Sequence, residues 1–436
     1  MESSKRSNKN ILILSNSHPY KAAGIVALDL YKGLKKNEQN NVKLLVNVYD
    51  KYSDKNIISI QTSVQSKIKW IFRKFRNVLN RLEIYKSKLK KTNRDYSIQD
   101  YYQTKTYWST DKILKKAGFK PDIVIVLFMQ SFLSFKNVYE INQITKAPVF
   151  LYLMDMAPFT GGCHYAWNCE NYMNKCGKCP AYKTNNEIDQ STKNWEYKKQ
   201  YIEKTNITAI AGSEWLYIQL KKSSLFKNKA KQKILLSIDS ELFKPNEKNK
   251  AREYFNLPVD KKVIFFGAVS YGSKRKGYVE LINALKVLKE NSDENLIQNI
   301  HLVIAGKGNS KLTDDFPFTC SFIGYLTHEK LAKAFQAADV FVSPSIEDSG
   351  PMMINQSIMS GTPVVAFEIG VAIDLVITKK TGYRAILRDS ADFANGVRYI
   401  LNLDIIEYNE ISTNCRNLGL KSCNSTTQIN KFIDIL

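Results

Sequence analysis

Continuous apolar runs alternate with amphipathic segments in the N-terminal half of this 436-residue chain. The runs are ILILS, KLLVNVY, PDIVIVLF, APVFLYLMD and TAIAGS. Unbroken runs of this length are typical of parallel strands that are covered on both faces. The segment IVALDLYKGLKK, between the first two runs, has helical spacing. The pattern therefore predicts a βαβ unit at the start of an α/β domain.

The same order of elements begins again after about residue 235. The strand-like runs are KVIFFGAV, HLVIAGKG, SFIGYL, VFVSPS and TPVVAF, and helical segments such as YVELINALKVLKE and HEKLAKAFQAA lie between some of them. The polar stretch ILLSIDSELFKPNEKN separates the two halves. We therefore expect two doubly wound α/β domains, residues 1–235 and residues 236–436, each with its own core.

A basic insertion, residues 52–105, interrupts the N-terminal pattern. Its centre, KIKWIFRKFRNVLNRLEIYKSKLKK, places apolar residues at helical spacing along one stripe, and most of the other positions are Lys or Arg. Two interpretations remain open. The segment is either a solvated helix packed on the N-terminal domain, or an amphipathic helix that binds anionic lipid headgroups through Trp70, Phe72 and Phe75.

The net charge indicates an anionic partner. The chain has 64 Lys and Arg against 41 Asp and Glu, which gives +23. Nucleic acid, an anionic membrane and a phosphorylated substrate would each be a suitable partner for such a charge.

No run approaches the roughly 18 apolar residues of a membrane span. A polar N-terminus and an odd number of cysteines, seven, argue against secretion. We expect a cytoplasmic protein that binds peripherally to the inner face of the cell membrane.

The segment from Val342 to Phe367 carries the clearest candidate chemistry. It has the form strand, acidic loop, helix, Gly turn and strand. Glu347 follows a strand end, where doubly wound sheets bind ligands. The Gly350-Pro351 turn would direct backbone amides and a helix N-terminus toward an anion. Such a site suits a diphosphate.

This segment resembles the signature of retaining family-four glycosyltransferases of bacterial surface-polysaccharide assembly, of the colanic-acid or capsule type. In that signature a glutamate, seven residues and a second glutamate precede a helix that ends in GTPVV. The resemblance implies the GT-B fold, two facing Rossmann-like doubly wound domains with the donor in the cleft, and places that donor site in the C-terminal half.

The resemblance also implies roles for individual residues. Glu347 would contact the hydroxyls of the donor sugar, and the amides around Ser349 and Gly350 would approach the donor phosphates. Asn355 stands at the second glutamate position, where an Asn side chain can still donate and accept one hydrogen bond each with the ribose.

A second matching segment is FFGAVSYGSKRKGYVELINAL. Lys276 matches the phosphate-binding lysine of the family, whose fixed charge would stabilise the leaving nucleoside diphosphate without a metal ion. Ala268 replaces the arginine that often follows the strand glycine, so Arg275 is the candidate for a second cation and Lys274 is the alternative. Backbone groups near Gly324 and Tyr325 would line the base pocket.

In the N-terminal half, Gly24 matches the glycine loop of such enzymes. PVFLYLMDMAPFTGGCHY resembles a variant in which His-Asp precedes the Thr-Gly-Gly-Cys-His-Tyr run, so that Asp155 is a candidate catalytic residue and Met154 stands at the histidine position. A loop-bracing role for Asp155 remains open. His18 and His164 are interpreted as structural.

Four cysteines follow directly, with the spacing C-x5-C-x6-C-x2-C: Cys163, Cys169, Cys176 and Cys179. Thiolates at this spacing can reach one tetrahedral ion, so a structural zinc clip is one interpretation. Two disulfides or four free thiols are the others. No cofactor is expected for catalysis.

The resemblance therefore implies a retaining hexosyltransferase. The donor would be a UDP- or GDP-linked sugar, and the acceptor a glycan or lipid-linked oligosaccharide of a capsule, O-antigen or exopolysaccharide. The alternatives are a nucleic-acid-binding or anionic-membrane-binding protein and an inactive glycosyltransferase-like scaffold. No nucleic-acid motif accompanies the charge, so we expect no nucleic-acid partner.

Overall fold

The computed structural model of the protein describes residues 8–21, 24–68, 70–71, 92–93, 95–269, 272–308 and 314–436. The chain divides into two compact units. The N-terminal unit comprises Met1–Ala211, Tyr217–Ile234 and Ile429–Leu436, and the C-terminal unit comprises Gly212–Leu216 and Leu235–Gln428. Most of the basic run, including residues 72–91, lies outside the described residues. The choice between a solvated helix and a lipid-binding helix for this run therefore stays open.

The N-terminal unit is built on a seven-stranded parallel sheet with the order β3-β2-β1-β4-β5-β6-β7. Its strands are β1 (Asn10–Ser15), β2 (Asn41–Val46), β3 (Ile57–Ser59), β4 (Ile123–Val126), β5 (Val149–Leu153), β6 (Ile207–Ala211) and β7 (Ala230–Lys233). The helices of this part of the chain are α1 (Ile25–Lys35), α2 (Thr110–Ala117), α3 (Phe135–Thr145), α4 (Gln190–Ile202) and α5 (Glu214–Lys222).

The C-terminal unit is built on a six-stranded parallel sheet with the order β10-β9-β8-β11-β12-β13. Its strands are β8 (Lys262–Ala268), β9 (Ile300–Gly306), β10 (Thr319–Phe322), β11 (Val340–Ser343), β12 (Val364–Phe367) and β13 (Gly382–Ala385). Its helices are α6 (Lys248–Tyr254), α7 (Tyr278–Glu290), α8 (Glu294–Gln298), α9 (His328–Ala337), α10 (Met352–Met359), α11 (Ala372–Leu375), α12 (Ser390–Leu401) and α13 (Ile405–Cys423). The final helix, α14 (Ser425–Ile435), ends within the N-terminal unit.

The strand orders confirm the prediction of two doubly wound α/β domains. In each sheet the order reverses at one point, between β1 and β4 in the first and between β8 and β11 in the second. Ligands of such sheets bind outside the carboxyl ends of the strands at this switch point. The fold therefore directs attention to the loops after β8 and β11, and to those after β1 and β4.

An aromatic cluster holds the strands on either side of the second switch point. Phe265 of β8 and Phe341 of β11 have ring centroids 5.7 Å apart, and both rings pack against Phe335 of α9 at 5.4 and 5.3 Å. All three side chains are fully buried, and burying each stabilises the fold by roughly 1.5–3 kcal/mol. The cluster fixes the positions from which the two site loops depart.

Among the described residues, no helix has both the length and the apolar character to cross a bilayer.

Candidate functional site

The loops that follow β8 and β11 are in direct backbone contact. The amides of Ile346 and Glu347 both donate to the carbonyl of Arg275, at 2.9 and 3.3 Å. Gly277, which ends the first loop, has φ +69°, and a Cβ atom there would lie 1.7 Å from the carbonyl oxygen of Pro344. Only glycine permits this conformation and this approach. The loop that carries the basic pair and the loop that carries the acidic pair are therefore positioned against each other.

Asp348 joins the two loops through its side chain. Its Oδ2 accepts hydrogen bonds from Lys276 Nζ at 2.6 Å and from Arg275 Nη1 at 2.7 Å, and its Oδ1 accepts the amide of Gly350 at 3.1 Å. The carboxyl side chain is 5% exposed, whereas each cation is 26% exposed. Asp348 was not among the site residues predicted from the sequence. The signal was its place at a strand end next to Glu347, with the basic pair in the neighbouring loop.

The charge state of Asp348 follows from two opposing causes. Burial raises the pKa of the carboxyl group, and the nearby charges of Lys276 and Arg275, with the amide of Gly350, lower it. The cations prevail, so the pKa of Asp348 lies below its usual value and the carboxylate is ionised at neutral pH. The protein's own carboxylate thus binds the two cations and the Gly350 amide that the sequence assigned to a diphosphate.

The other predicted residues of the acidic loop are buried near Asp348. Glu347 and Ser349 are 7% and 5% exposed. The carbonyl of Ser349 accepts the hydroxyl of Ser213. Gly370, with φ +58°, lies so close to this loop that a Cβ atom there would be 2.8 Å from the carbonyl oxygen of Asp348. The loop therefore has a fixed shape before any ligand binds.

Asn355 lies on α10, one turn beyond this loop, and is 1% exposed. Its Nδ2 contacts Cys423 Sγ at 3.4 Å. Its Oδ1 has no hydrogen-bond partner within the described part of the chain. A buried acceptor without a partner costs about 1–3 kcal/mol. Asn355 thus keeps one buried acceptor unsatisfied.

Gly324 and Tyr325 follow β10 at the same edge of the sheet. Gly324 has φ +71°, and no atom of the described residues lies within 4 Å of the position where a Cβ atom would project. The carbonyl of Gly324 accepts the amide of Gly306, at the end of β9, at 2.9 Å. Tyr325 is 53% exposed, and Lys307 Nζ lies 5.6 Å from its ring centroid. This corner offers an accessible ring and open backbone, as binding of a base requires.

In the N-terminal unit, Asp155 lies after β5 and is paired with a histidine. Its Oδ2 lies 2.7 Å from His164 Nδ1, and its Oδ1 accepts the amide of Ala157 at 2.8 Å. Both residues line one pocket at the carboxyl ends of the strands. The other lining residues include Asn16, Ser17, Gln130 and Met154. His164, which the sequence analysis interpreted as structural, is therefore a pocket residue next to the position that Met154 occupies.

Gly24 begins α1 with an ordinary helical φ of −64°. Glycine is required at this position because a Cβ atom would lie only 2.0 Å from the carbonyl oxygen of His18. His18 Nε2 lies 2.9 Å from Asp50 Oδ2, on the surface. Gly24 thus fixes the turn after β1.

The four clustered cysteines line a single small cavity of the N-terminal unit and are free thiols. Burial raises the pKa of Cys163 to about 12. As the side chains stand, no set of three or more His, Cys, Asp or Glu within the described ranges has the geometry of a metal site.

Comparisons with known proteins point to one family for the C-terminal unit. The family model described as "Glycosyl transferases group 1" matches residues 247–418. An uncharacterized glycosyltransferase of Methanocaldococcus jannaschii is 27% identical over 33% of this chain and 36% of its own length. D-inositol 3-phosphate glycosyltransferase 2 of Catenulispora acidiphila is 26% identical over 38% of this chain and 41% of its own. The chain therefore spans less than half the length of these curated relatives.

Solved structures resemble the whole chain in fold. Sucrose-phosphate synthase of Thermosynechococcus elongatus has a TM-score of 0.67 at 16% identity, with 98% of both chains covered. Anabaena HepE, in complex with UDP and glucose, has a TM-score of 0.61 at 14% identity over 98% of this chain and 99% of its own. WaaG, a glycosyltransferase involved in lipopolysaccharide biosynthesis, has a TM-score of 0.59 at 12% identity, with 98% of both chains covered.

The match covers both loops that meet at Asp348, and the structural neighbours extend over both units. The C-terminal unit thus matches the glycosyl transferases group 1 model over residues 247–418, in a chain that has the GT-B fold.

Proposed function

We propose that this protein is a retaining glycosyltransferase that moves a sugar from a nucleoside diphosphate sugar to a glycan or lipid-linked acceptor. One observation carries the proposal: Arg275 and Lys276 lie at the switch point of the C-terminal sheet, both bonded to the buried carboxylate of Asp348. Two fixed cations at this place suit the diphosphate of a donor.

Lys276 keeps donor groups for a ligand while it binds Asp348. An ammonium group has three N–H donors, and one of them goes to Asp348 Oδ2. The remaining donors would bind the diphosphate and stabilise the charge that develops on it as the sugar departs. The fixed charge of Arg275, which also binds Asp348, would add to this stabilisation. This stabilisation would be preorganised, because Asp348 already holds both cations.

The rest of the donor has matching groups in the same unit. Glu347 would accept hydrogen bonds from the sugar hydroxyls, and the unsatisfied Oδ1 of Asn355 would accept one from the ribose. Tyr325 and the open backbone at Gly324 would contact the base. UDP, which is bound in structures of the HepE neighbour, is the first donor base to test, and GDP the second.

With retention, the acceptor hydroxyl would attack the face of the sugar that the diphosphate leaves, and the departing phosphate would take its proton.

The acceptor would bind in the N-terminal unit at the pocket of Asp155 and His164. The net charge of +23 favours a lipid-linked acceptor at an anionic membrane surface. A neighbour that acts in lipopolysaccharide biosynthesis supports a role in surface-polysaccharide assembly. The free cysteines fit a reducing cytoplasm.

Release of nucleoside diphosphate from a panel of UDP- and GDP-sugars, with and without lipid-linked oligosaccharide, tests the proposal. We expect release with one donor class, an increase with acceptor, and a loss of at least about 100-fold in Glu347→Gln and Lys276→Ala. Lys286→Ala, an exposed lysine of α7, is the matched control. Equal rates in all four proteins would refute this site. Absence of release with every donor would favour the inactive scaffold, and tight polynucleotide binding the nucleic-acid alternative.

A further inference from the structure

Four cysteines of the N-terminal unit converge on one cavity. Cys163, Cys169, Cys176 and Cys179 all line it, and its free space is about 20 Å³. That space is sufficient for about one water-sized occupant. The remaining cysteines of the chain lie elsewhere, at Cys320, Cys415 and Cys423. The segment therefore brings four cysteines to the walls of one cavity that is about the size of a single ion.

The closing turn has an unusual backbone. Cys176, Gly177 and Lys178 all have positive φ, at +61°, +100° and +42°. Non-glycine residues in this region are strained by about 1–3 kcal/mol each. The turn is held by bonds from the amide of Cys176 to Asn171 at 2.9 Å, and from the amide of Cys179 to Asp189 Oδ2 at 2.9 Å. Three consecutive positive-φ residues thus begin at Cys176 and end directly before Cys179.

A buried lysine of α4 fixes the loop that precedes the cluster. Lys198 is 1% exposed, and its Nζ donates to the carbonyls of Ala157 and Thr160. The loop that leads into Cys163 is therefore tied to α4.

We propose that Cys163, Cys169, Cys176 and Cys179 bind one zinc ion as a structural clip. Four sulfur ligands select zinc or an iron–sulfur cluster, and a cavity of this size favours a single ion. Zinc binding requires the thiol side chains to rotate toward a common centre, because their present positions do not form a metal site.

The clip would act on the neighbouring pocket. Cys163 immediately precedes His164, which binds Asp155. The amide of Gly177 bonds to Ser191 Oγ at 3.1 Å, which ties the closing turn to α4. Zinc would therefore fix the loop that presents His164. This role does not depend on the proposed transfer reaction.

Metal analysis of the full chain, purified without chelator from zinc-supplemented cells, tests this proposal. We expect about one zinc per chain in the wild type, and less than about one fifth of that in Cys176→Ser and Cys179→Ser. Cys320→Ser, which changes a half-exposed cysteine of the other unit, is the matched control and should keep its zinc. Circular dichroism reports whether each variant is folded.

A second measurement uses only the wild type, in case the serine variants do not fold. Titration with a mercurial reagent should release zinc to a chromophoric chelator as four thiols react, and the melting temperature should fall with chelator. Wild type without zinc even after reconstitution would overturn the proposal. So would iron with visible absorption, or two disulfides within the cluster in unreduced protein.

Discussion

Asp348 Oδ2 lies 2.6 Å from Lys276 Nζ, and this pair connects the two loops at the switch point of the C-terminal sheet. The carboxylate is buried, and the ammonium group is partly exposed. A buried charge is stable only with its partners in place. The pair therefore both supports the loops and keeps a cation at the place where a donor diphosphate would bind.

Asp348→Asn should lower stability and change the response to ligand. We expect a loss of about 1–2 kcal/mol at pH 7, because the exposure of the two cations reduces the cost of their lost partner. A nucleoside diphosphate should then raise the melting temperature more than in the wild type, since it would replace the missing anion. Equal ligand-induced shifts in both proteins would contradict this.

The stability difference between wild type and Asp348→Asn should depend on pH. The pKa of Asp348 is lower in the folded protein than in the unfolded chain. Its contribution to stability is therefore fully present above the unfolded pKa, about 4, and is lost as the pH falls through the lower folded pKa. The difference in unfolding free energy between wild type and variant should stay constant from about pH 7 to 5 and narrow below about pH 4. Urea unfolding across this range measures it.

Gly277→Ala should disrupt the site loops. The added methyl group would meet the carbonyl of Pro344, and the φ of +69° adds strain. We expect a loss of at least about 3 kcal/mol in the free energy of unfolding. Gly272→Ala lies in the same loop, has no atom of the described residues within 4 Å of its Cβ position, and is the control that should change stability little. Similar stabilities of the two variants would show that the close contact is absent.

Asn355→Ala should weaken donor binding through the loss of one acceptor. One hydrogen bond is worth about 1 kcal/mol, or about a fivefold rise in the dissociation constant. Asn355→Asp keeps an acceptor oxygen of the same shape and should bind the donor more tightly than the alanine variant. Calorimetry of both variants measures this order, and the reverse order would remove Asn355 from the donor site.

His164→Gln should affect the acceptor and leave the donor unaffected. His164 and Asp155 line a pocket of the N-terminal unit, whereas the cations that would bind the diphosphate belong to the C-terminal unit. We expect the KM for acceptor to rise by about tenfold, as for the loss of one hydrogen bond to a charged group, with an unchanged dissociation constant for the nucleoside diphosphate. A parallel loss of donor affinity would contradict this division of roles.

The apolar runs predicted most strands of both sheets, because a strand covered on both faces is apolar throughout. β7 was missed because its sequence, AKQK, is exposed or half-exposed, and β13 because GYRA is short and only partly buried. β3 lies within the segment assigned to the insertion and has only three residues. Edge strands this short bury too few residues to produce a recognisable apolar run in the sequence.

The positions of the candidate site residues could be predicted where a sequence motif fixes the backbone. The pairings between their side chains could not be predicted. The sequence located Glu347, Arg275 and Lys276 at strand ends. It did not show that Asp348 binds both cations, since neighbours in space come from loops about 70 residues apart. It likewise did not show that His164 meets Asp155, because only the path of the loop after β5 brings them together.

Calorimetry of UDP and GDP with the wild type, Lys276→Ala and Lys286→Ala tests the central claim most directly. We predict that the wild type and Lys286→Ala bind one of the two nucleotides with equal affinity. Lys276→Ala should bind it roughly 10–100-fold more weakly, as the loss of a charge-assisted hydrogen bond requires. Equal binding by all three proteins, or by none of them, would contradict the assignment of the donor site to the loops that meet at Asp348.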